Sequence, residues 1–197
     1  MFGMVKDVEW YRRNAEEMHP LHFQVGELFN ELLKDSLMTG YSLMLDEACG
    51  GAQRVPLFVS SEKSRKNEFC NVDFLVIHDG DIRAIVEIEE SNVKPVHVFG
   101  KFLASAVSRF YIHDYLGGAM GYGEDVVFIQ FVDTSKLKRG RSSKVEQWRN
   151  ICDSIRSVVP LNGSRIARYE LFDVNVEEIR DAEMREKLKI RLIELIG

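Results

Sequence analysis

The sequence is poor in cysteine and proline and has no long apolar run. Its three cysteines, Cys49, Cys70 and Cys152, are odd in number and far apart, which argues against a disulfide framework or a C-x-x-C metal site. Only 4 of the 197 residues are proline, and no stretch approaches 18 uncharged apolar residues. The first residues lack the basic start and apolar run of a secretory signal. We therefore expect a cytoplasmic protein that does not associate with a membrane.

The chain also lacks the excess of positive charge found in proteins that coat nucleic acids. Its 31 acidic and 26 basic side chains give a net charge of -5, and 45% of its residues are hydrophobic. This composition is typical of one globular domain, which we assign to residues 1–197. An acidic body can still carry a local basic surface. Two clusters have this character: Lys63, Arg65 and Lys66, and Lys136, Lys138, Arg139 and Arg141.

The pattern of apolar residues predicts a mixture of helices and strands. A helix should begin near Leu21, strands should cover Asn71 to His78 and Ile82 to Glu90, and a strand buried on both faces should follow at Val126 to Val132. The order helix, strands, hairpin, helix, strand, helix, strand, helix predicts an α/β fold with a central mixed sheet flanked by helices. The last helix, which carries Leu188 and Leu192, would pack on the domain or on a second copy in a homodimer.

The predicted hairpin brings three carboxylates to one end of the sheet: Asp73 on the first strand, and Glu87 and Glu89 on the second. A two-residue turn at Asp79-Gly80 would pair Asp73 with Val86 and send the glutamates to the opposite face. A three-residue loop that includes His78 would pair Asp73 with Ile85 and place all three acids on one face. A joint site therefore requires, by this reasoning, the three-residue loop.

Carboxylates in this arrangement suit a hard divalent cation, which prefers oxygen ligands and can assist attack on a phosphodiester. Asp73 and Glu87 would bind Mg²⁺, with Mn²⁺ as a substitute, and the backbone carbonyl of Ile88 would complete the protein's ligands. Glu89, two residues beyond Glu87, would orient or deprotonate the attacking water. His78, His97 and His113 show no spacing of metal ligands and are expected at the surface or at helix ends.

This arrangement resembles the PD-(D/E)xK nuclease superfamily, which includes type II restriction endonucleases and repair nucleases. The resemblance covers about Leu21 to Val132, and this chain has a Glu-x-Glu in place of the usual acid-x-Lys. It implies a restriction-endonuclease-like fold with Asp73 and Glu87 as the metal ligands. It also implies that Glu89 takes the usual lysine position and that either Lys94 or Lys101, the latter on the following helix, supplies the missing positive charge. Glu31, on the helix before the sheet, would be the additional acid that some members carry.

The sequence thus predicts a metal-dependent DNA endonuclease of the restriction or repair type, acting on double-stranded DNA. The two basic clusters would then contact phosphates on either side of the scissile one. Two alternatives remain open. The chain could be a catalytically inactive nucleic-acid-binding or regulatory module with the same fold. It could also be an unrelated α/β protein whose hairpin acids are solvated.

Overall fold

The computed structural model describes residues 8–90, 94–113, 118–133, 135 and 142–197, which form six helices and eight strands. The helices are α1 Val8–Met18, α2 Pro20–Leu32, α3 Pro95–Val107, α4 Ser142–Val158, α5 Val176–Arg180 and α6 Ala182–Ile196. The strands are β1 Tyr41–Leu45, β2 Pro56–Phe58, β3 Glu68–Asn71, β4 Phe74–His78, β5 Asp81–Glu89, β6 Phe110–Ile112, β7 Ala119–Val132 and β8 Ile166–Asp173.

The strands form one mixed sheet with the path β1-β4-β5-β7-β6-β2-β3, and β8 pairs with the second half of β7. The β1-β4-β5 ladders are antiparallel, whereas β5, β7 and β8 run parallel. Helices α3 and α4 lie in the two connections that lead from one parallel strand to the next, as parallel neighbours require. The predicted α/β class with a mixed sheet is confirmed.

The 14-residue strand β7 belongs to three ladders. Its first residues pair with β6 (Phe110↔Gly121), and its last residues pair with β5 and β8. Asp125, with a positive φ of 55°, lies between the two parts, where the β5-β7 register is interrupted. The sequence predicted only the second part, because its continuous apolar run is absent from Ala119 to Asp125.

Helices cover both faces of the sheet. On one face, α2, α5 and α6 pack on a cluster that includes Phe74, Val86 and Ile88. On the other face, α3 and α4 pack on a cluster that includes Leu75, Ile85 and Phe128. Alternate residues of β5 therefore face opposite helical layers, as the two-residue period of a strand requires.

The hairpin between β4 and β5 differs from both predicted registers. A two-residue turn joins the strands, since His78 pairs with Asp81, and Asp79 and Gly80 have φ angles of 51° and 88°. The predicted three-residue loop is therefore wrong. A bulge follows inside β5, because Ile77 pairs with Ile82 while Val76 pairs with Ala84. Arg83 is the extra residue, and the register beyond it shifts by one.

Helix α6 packs against its own domain. Leu188, Leu192, Leu195 and Ile196 are buried in the cluster on the α2 side of the sheet. The predicted alternative in which this apolar face meets a second copy is therefore not the arrangement seen. Among the described residues, none of the helices combines the length and the apolar character needed to cross a membrane.

Candidate functional site

The bulge at Arg83 decides which face of the sheet carries the hairpin carboxylates. Beyond it, the ladder ends with Phe74 paired to Val86, and extending this register by one residue sets Asp73, which precedes β4, opposite Glu87. Residues directly opposite in an antiparallel pair share a face. The bulge thus achieves what the three-residue loop was expected to achieve, and it makes Asp73 and Glu87 direct rather than diagonal neighbours.

Asp73 is fixed to the end of β5 through the backbone. Its Oδ2 accepts a hydrogen bond from the N–H of Ile88 at 2.5 Å. The backbone carbonyl of Glu89 accepts a hydrogen bond from the N–H of Asp133, on the edge of β5 that faces β7. The backbone groups of successive residues in a strand point to opposite edges, so the N–H and C=O of Ile88 point away from β7, toward Asp73. The carbonyl of Ile88 therefore lies on the same edge as Asp73, as the predicted ligand set requires.

Glu87 is a buried carboxylate with an unpartnered oxygen. It is 1% exposed, and its Oε1 has no hydrogen-bond partner among the described residues. Burial raises the pKa of Glu87 well above its ordinary value, and the charge of Asp73 and a side-chain hydrogen bond between the two carboxyl groups raise it further. Lys101 acts in the opposite direction but does not offset these effects.

Lys101 on α3 reaches both glutamates. Its Nζ lies 2.8 Å from Glu87 Oε2 and 2.9 Å from Glu89 Oε1. Burial alone would lower the pKa of Lys101, but the charges of Glu87, Asp73 and Glu89 raise it above its usual range. This lysine therefore stays protonated and holds the two glutamates on the α3 face of the sheet.

Two further groups beside Asp73 were not predicted. Asp46, just after β1, donates its backbone N–H to Asp73 O at 2.9 Å, and burial followed by the charge of Asp73 raises its pKa to about 6. His22 on α2 lies with Nε2 3.7 Å from Asp73 Oδ1. Both contacts join residues far apart in the chain. No local pattern in the sequence indicates them, although His22 does follow His19 by one helical turn.

A buried amide completes the neighbourhood of Glu87. Gln130 of β7 pairs with Glu87 in the parallel ladder and is fully buried. Its Oε1 accepts from the hydroxyl of Tyr169 at 2.7 Å, while its Nε2 has no partner among the described residues. The predicted apolar strand thus carries one polar residue, and that residue lies beside the site.

The structure does not bring Glu31 to this site. The Glu31 carboxylate forms a bidentate ion pair with Arg185 of α6, at 2.9 and 3.0 Å. Nine residues separate Glu31 from His22, which corresponds to about 13 Å along a helix. Helix α2 therefore contributes His22 rather than Glu31 to the surroundings of Asp73.

The predicted phosphate contacts lie on the loop before β3 or outside the described residues. Lys63, Arg65 and Lys66 are exposed on the loop between β2 and β3, and β3 then leads toward Asp73. Seven residues separate Lys66 from Asp73, or about 23 Å of extended chain. The second cluster, Lys136, Lys138, Arg139 and Arg141, lies outside the described residues.

The residues present fit a divalent cation. Among the described residues, the carboxylates of Asp46, Asp73, Glu87, Glu89 and Glu90 lie near three basic side chains, those of His19, His22 and Lys101. Because burial makes ionisation of Glu87 costly even beside Lys101, a bound cation would stabilise its charged form. Oxygen donors of this kind are the ligands that Mg²⁺ and Mn²⁺ prefer.

Comparisons with models of protein families, with curated proteins and with solved structures gave no match.

Proposed function

We propose that this protein is a Mg²⁺-dependent phosphodiesterase with a restriction-endonuclease-like fold and that DNA is its substrate. The observation that carries the proposal is the contact between Asp73 and the buried carboxyl of Glu87, whose pKa is raised by the charge of Asp73 and by a side-chain hydrogen bond with it. The resemblance to the PD-(D/E)xK superfamily supports the choice of reaction and substrate, because its two metal-binding acids correspond to Asp73 and Glu87, while Glu89 takes the position of its usual lysine.

The ligands of the cation would be Asp73, Glu87 and the carbonyl of Ile88. When bound there, Mg²⁺ supplies positive charge that offsets the charge developing on the phosphodiester. Glu89 would accept the proton of the attacking water, whose oxygen bonds to phosphorus as the phosphorus–oxygen bond of the leaving group breaks. The leaving oxygen takes its proton from solvent.

Lys101 has a positioning role in this proposal. Its ammonium group lies 2.9 Å from Glu89 Oε1 and 2.8 Å from Glu87 Oε2, so it fixes the spacing between the proposed base and the proposed ligand. The exposed cations Lys63, Arg65 and Lys66 would contact the DNA backbone at a distance from the scissile phosphate.

The same lysine also favours the second candidate function, a nucleic-acid-binding module without turnover. Lys101 already gives Glu87 and Glu89 a positive partner, as a cation would. In that case Asp73 and Glu87 would shape the site without binding a metal ion.

The test is cleavage of supercoiled plasmid, short duplex DNA and single-stranded DNA by purified protein in Mg²⁺, in Mn²⁺ and in EDTA. Asp73→Asn and Glu87→Gln should each reduce metal-dependent cleavage by at least about 100-fold. Asp79→Asn is the matched control, because it changes an acid at the other end of the same hairpin and asparagine tolerates the left-handed conformation there. This variant should cleave at the wild-type rate.

Cleavage that persists in EDTA, or that survives both site variants, would refute the proposal. DNA binding without cleavage by folded wild-type protein would select the second candidate function. The absence of both cleavage and binding would reject the two functions together.

A further inference from the structure

A second group of metal-ligating side chains lies beside the Asp73–Glu87 pair and differs from it in chemistry. His19 immediately precedes α2, His22 lies one helical turn later, and Glu90 directly follows β5. One potential ligand atom from each of these residues lies within 4.8 Å of the other two. The two imidazole rings are 5.6 Å apart between centroids and meet edge to face.

Three features of the backbone hold this group in place. Pro20 at the start of α2 fixes the turn between the two histidines. The spacing i, i+3 puts both rings on one side of the helix start. Glu90 Oε1 accepts hydrogen bonds from the backbone N–H of His22 and from His22 Nδ1, both at 2.9 Å. The carboxylate is therefore anchored to the same turn that carries the imidazoles.

The group is accessible from solvent. His19 is exposed, and its ring has no hydrogen bond with the described residues. His19 also lines a cleft of about 310 Å³, together with Asn14, Asp46, Gln53 and Asn71. An ion could therefore enter from this cleft and meet His19 first, with the partly buried His22 and Glu90 behind it.

We propose that His19, His22 and Glu90 form a binding site for a first-row transition-metal dication of the zinc type. Imidazole nitrogen is a preferred ligand of zinc, cobalt and nickel, whereas Mg²⁺ and Ca²⁺ select oxygen. Two histidines with one glutamate make a three-ligand set that leaves room for solvent or substrate.

The separations suit such an ion. Ligand atoms bound at about 2.0–2.2 Å to a tetrahedral ion lie roughly 3.4 Å apart. The three atoms lie within 4.8 Å of one another, so each pair has to approach by at most about 1.4 Å to reach this spacing. Binding would displace the hydrogen that His22 Nδ1 shares with Glu90, and the ion would then tie the start of α2 to the end of β5.

The position of the site gives it a consequence for the proposed reaction. His22 Nε2 lies 3.7 Å from Asp73 Oδ1, so an ion on His22 adds positive charge next to a proposed Mg²⁺ ligand. Only this consequence rests on the proposed function. The binding of the transition metal does not.

The experiment is a titration of metal-free protein with Co²⁺, followed by visible absorption, and with Zn²⁺, followed by calorimetry, in the absence of DNA. Wild-type protein should bind one ion through nitrogen and oxygen ligands. His19→Ala and Glu90→Gln should each weaken binding by at least about 10-fold. The matched control His97→Ala removes another exposed histidine, at the start of α3, and should bind as wild type does.

The same titration with Glu87→Gln separates this site from the proposed magnesium site. Glu87→Gln should keep the Co²⁺ site, whether or not the protein cleaves DNA. The inference is overturned if His19→Ala binds Co²⁺ as tightly as wild type, or if His97→Ala loses as much affinity as His19→Ala. It is equally overturned if Glu87→Gln, and not His19→Ala, removes the ion.

Discussion

The ion pair between Lys101 and Glu87 offers a quantitative test of the site geometry. Glu87 is 1% exposed and the side chain of Lys101 is 35% exposed, and their charged atoms are 2.8 Å apart. Removing one member of a buried pair costs about 3–5 kcal/mol, because the remaining charge stays desolvated. The partial exposure of Lys101 reduces this, and we expect Lys101→Met to lower the free energy of unfolding by about 2–3 kcal/mol.

Glu87→Gln should cost less, about 1 kcal/mol, because Lys101 keeps Glu89 as a partner at 2.9 Å. In the double variant neither position 87 nor position 101 carries a charge, and the loss of the Glu89 partner, which Lys101→Met shares with the double variant, cancels from the cycle. The coupling energy of the double-mutant cycle should therefore reach about 2 kcal/mol. Urea denaturation of the four proteins in EDTA at pH 7.5 measures it.

The chain contains a matched control for this cycle. Lys187 and Glu183 form an i, i+4 pair on α6 at 2.6 Å, with 64% and 79% of their side chains exposed. An exposed helical pair contributes about 0.3–0.5 kcal/mol. A Lys101–Glu87 coupling no larger than that of the control pair would refute the buried geometry described for the site.

The cycle also has a pH dependence of known sign. Burial and the charge of Asp73 raise the pKa of Glu87, so the carboxyl gains a proton as the pH falls. A protonated Glu87 needs no positive partner. The destabilisation by Lys101→Met should therefore decrease as the pH falls and Glu87 gains its proton, and a destabilisation that stays constant or grows would contradict the electrostatic reasoning.

Three other predictions concern stability and follow from particular contacts. Asp46→Asn should stabilise the protein by about 1–2 kcal/mol, measured by urea denaturation at pH 7.5 in EDTA, because the raised pKa of about 6 makes ionised Asp46 unfavourable in the folded state. This stabilisation should vanish below about pH 4, where Asp46 is protonated in both the folded and the unfolded state. A stabilisation that persists at that pH would contradict this cause. Arg83→Ala should lower the free energy of unfolding by about 2 kcal/mol, because Arg83 donates hydrogen bonds to Ile196 O at 2.8 Å and to Asp125 O at 3.0 Å. Hydrogen exchange of the backbone amides in the last turn of α6 should become faster. Unchanged exchange would show that these hydrogen bonds do not hold the end of the helix. Gly26→Ala should lower the midpoint of thermal unfolding, at a cost of about 1–3 kcal/mol, because a β-carbon there would overlap the carbonyl oxygen of Cys49. Gly100→Ala on α3 meets open space and should raise the midpoint. A higher midpoint in both variants would refute the close approach of Gly26 to Cys49.

The sequence predicts much of the layer structure but not the site register. The apolar periods of α2, β5 and the second half of β7 are strong local signals, and these elements appear where the pattern indicates. The short strands β3 and β6 have only four and three residues, too few for a two-residue alternation to stand out. Their place in the sheet depends on pairing with β2 and β7, which lie elsewhere in the chain.

The bulge and the histidines show why parts of the site escape prediction. An extra residue at Arg83 is stabilised by bonds to the carbonyls of Ile196 and Asp125, far away in sequence. His22 meets Glu90 across 68 positions and Asp73 across 51. Period and spacing describe neighbours along the chain, so they cannot report contacts that exist only after the layers have packed.

The bulge has a consequence for how the carboxylate pair can vary between chains. Arg83 is the surplus residue, so the ladder beyond it keeps the pairing of Val76 with Ala84 whether this residue is present or deleted. Thirteen residues separate Asp73 from Glu87. A regular hairpin without the bulge would set these two positions opposite each other with twelve. A search for relatives that fixes this interval would pass over chains with the same pair and a regular hairpin, so the interval should be allowed to change by one.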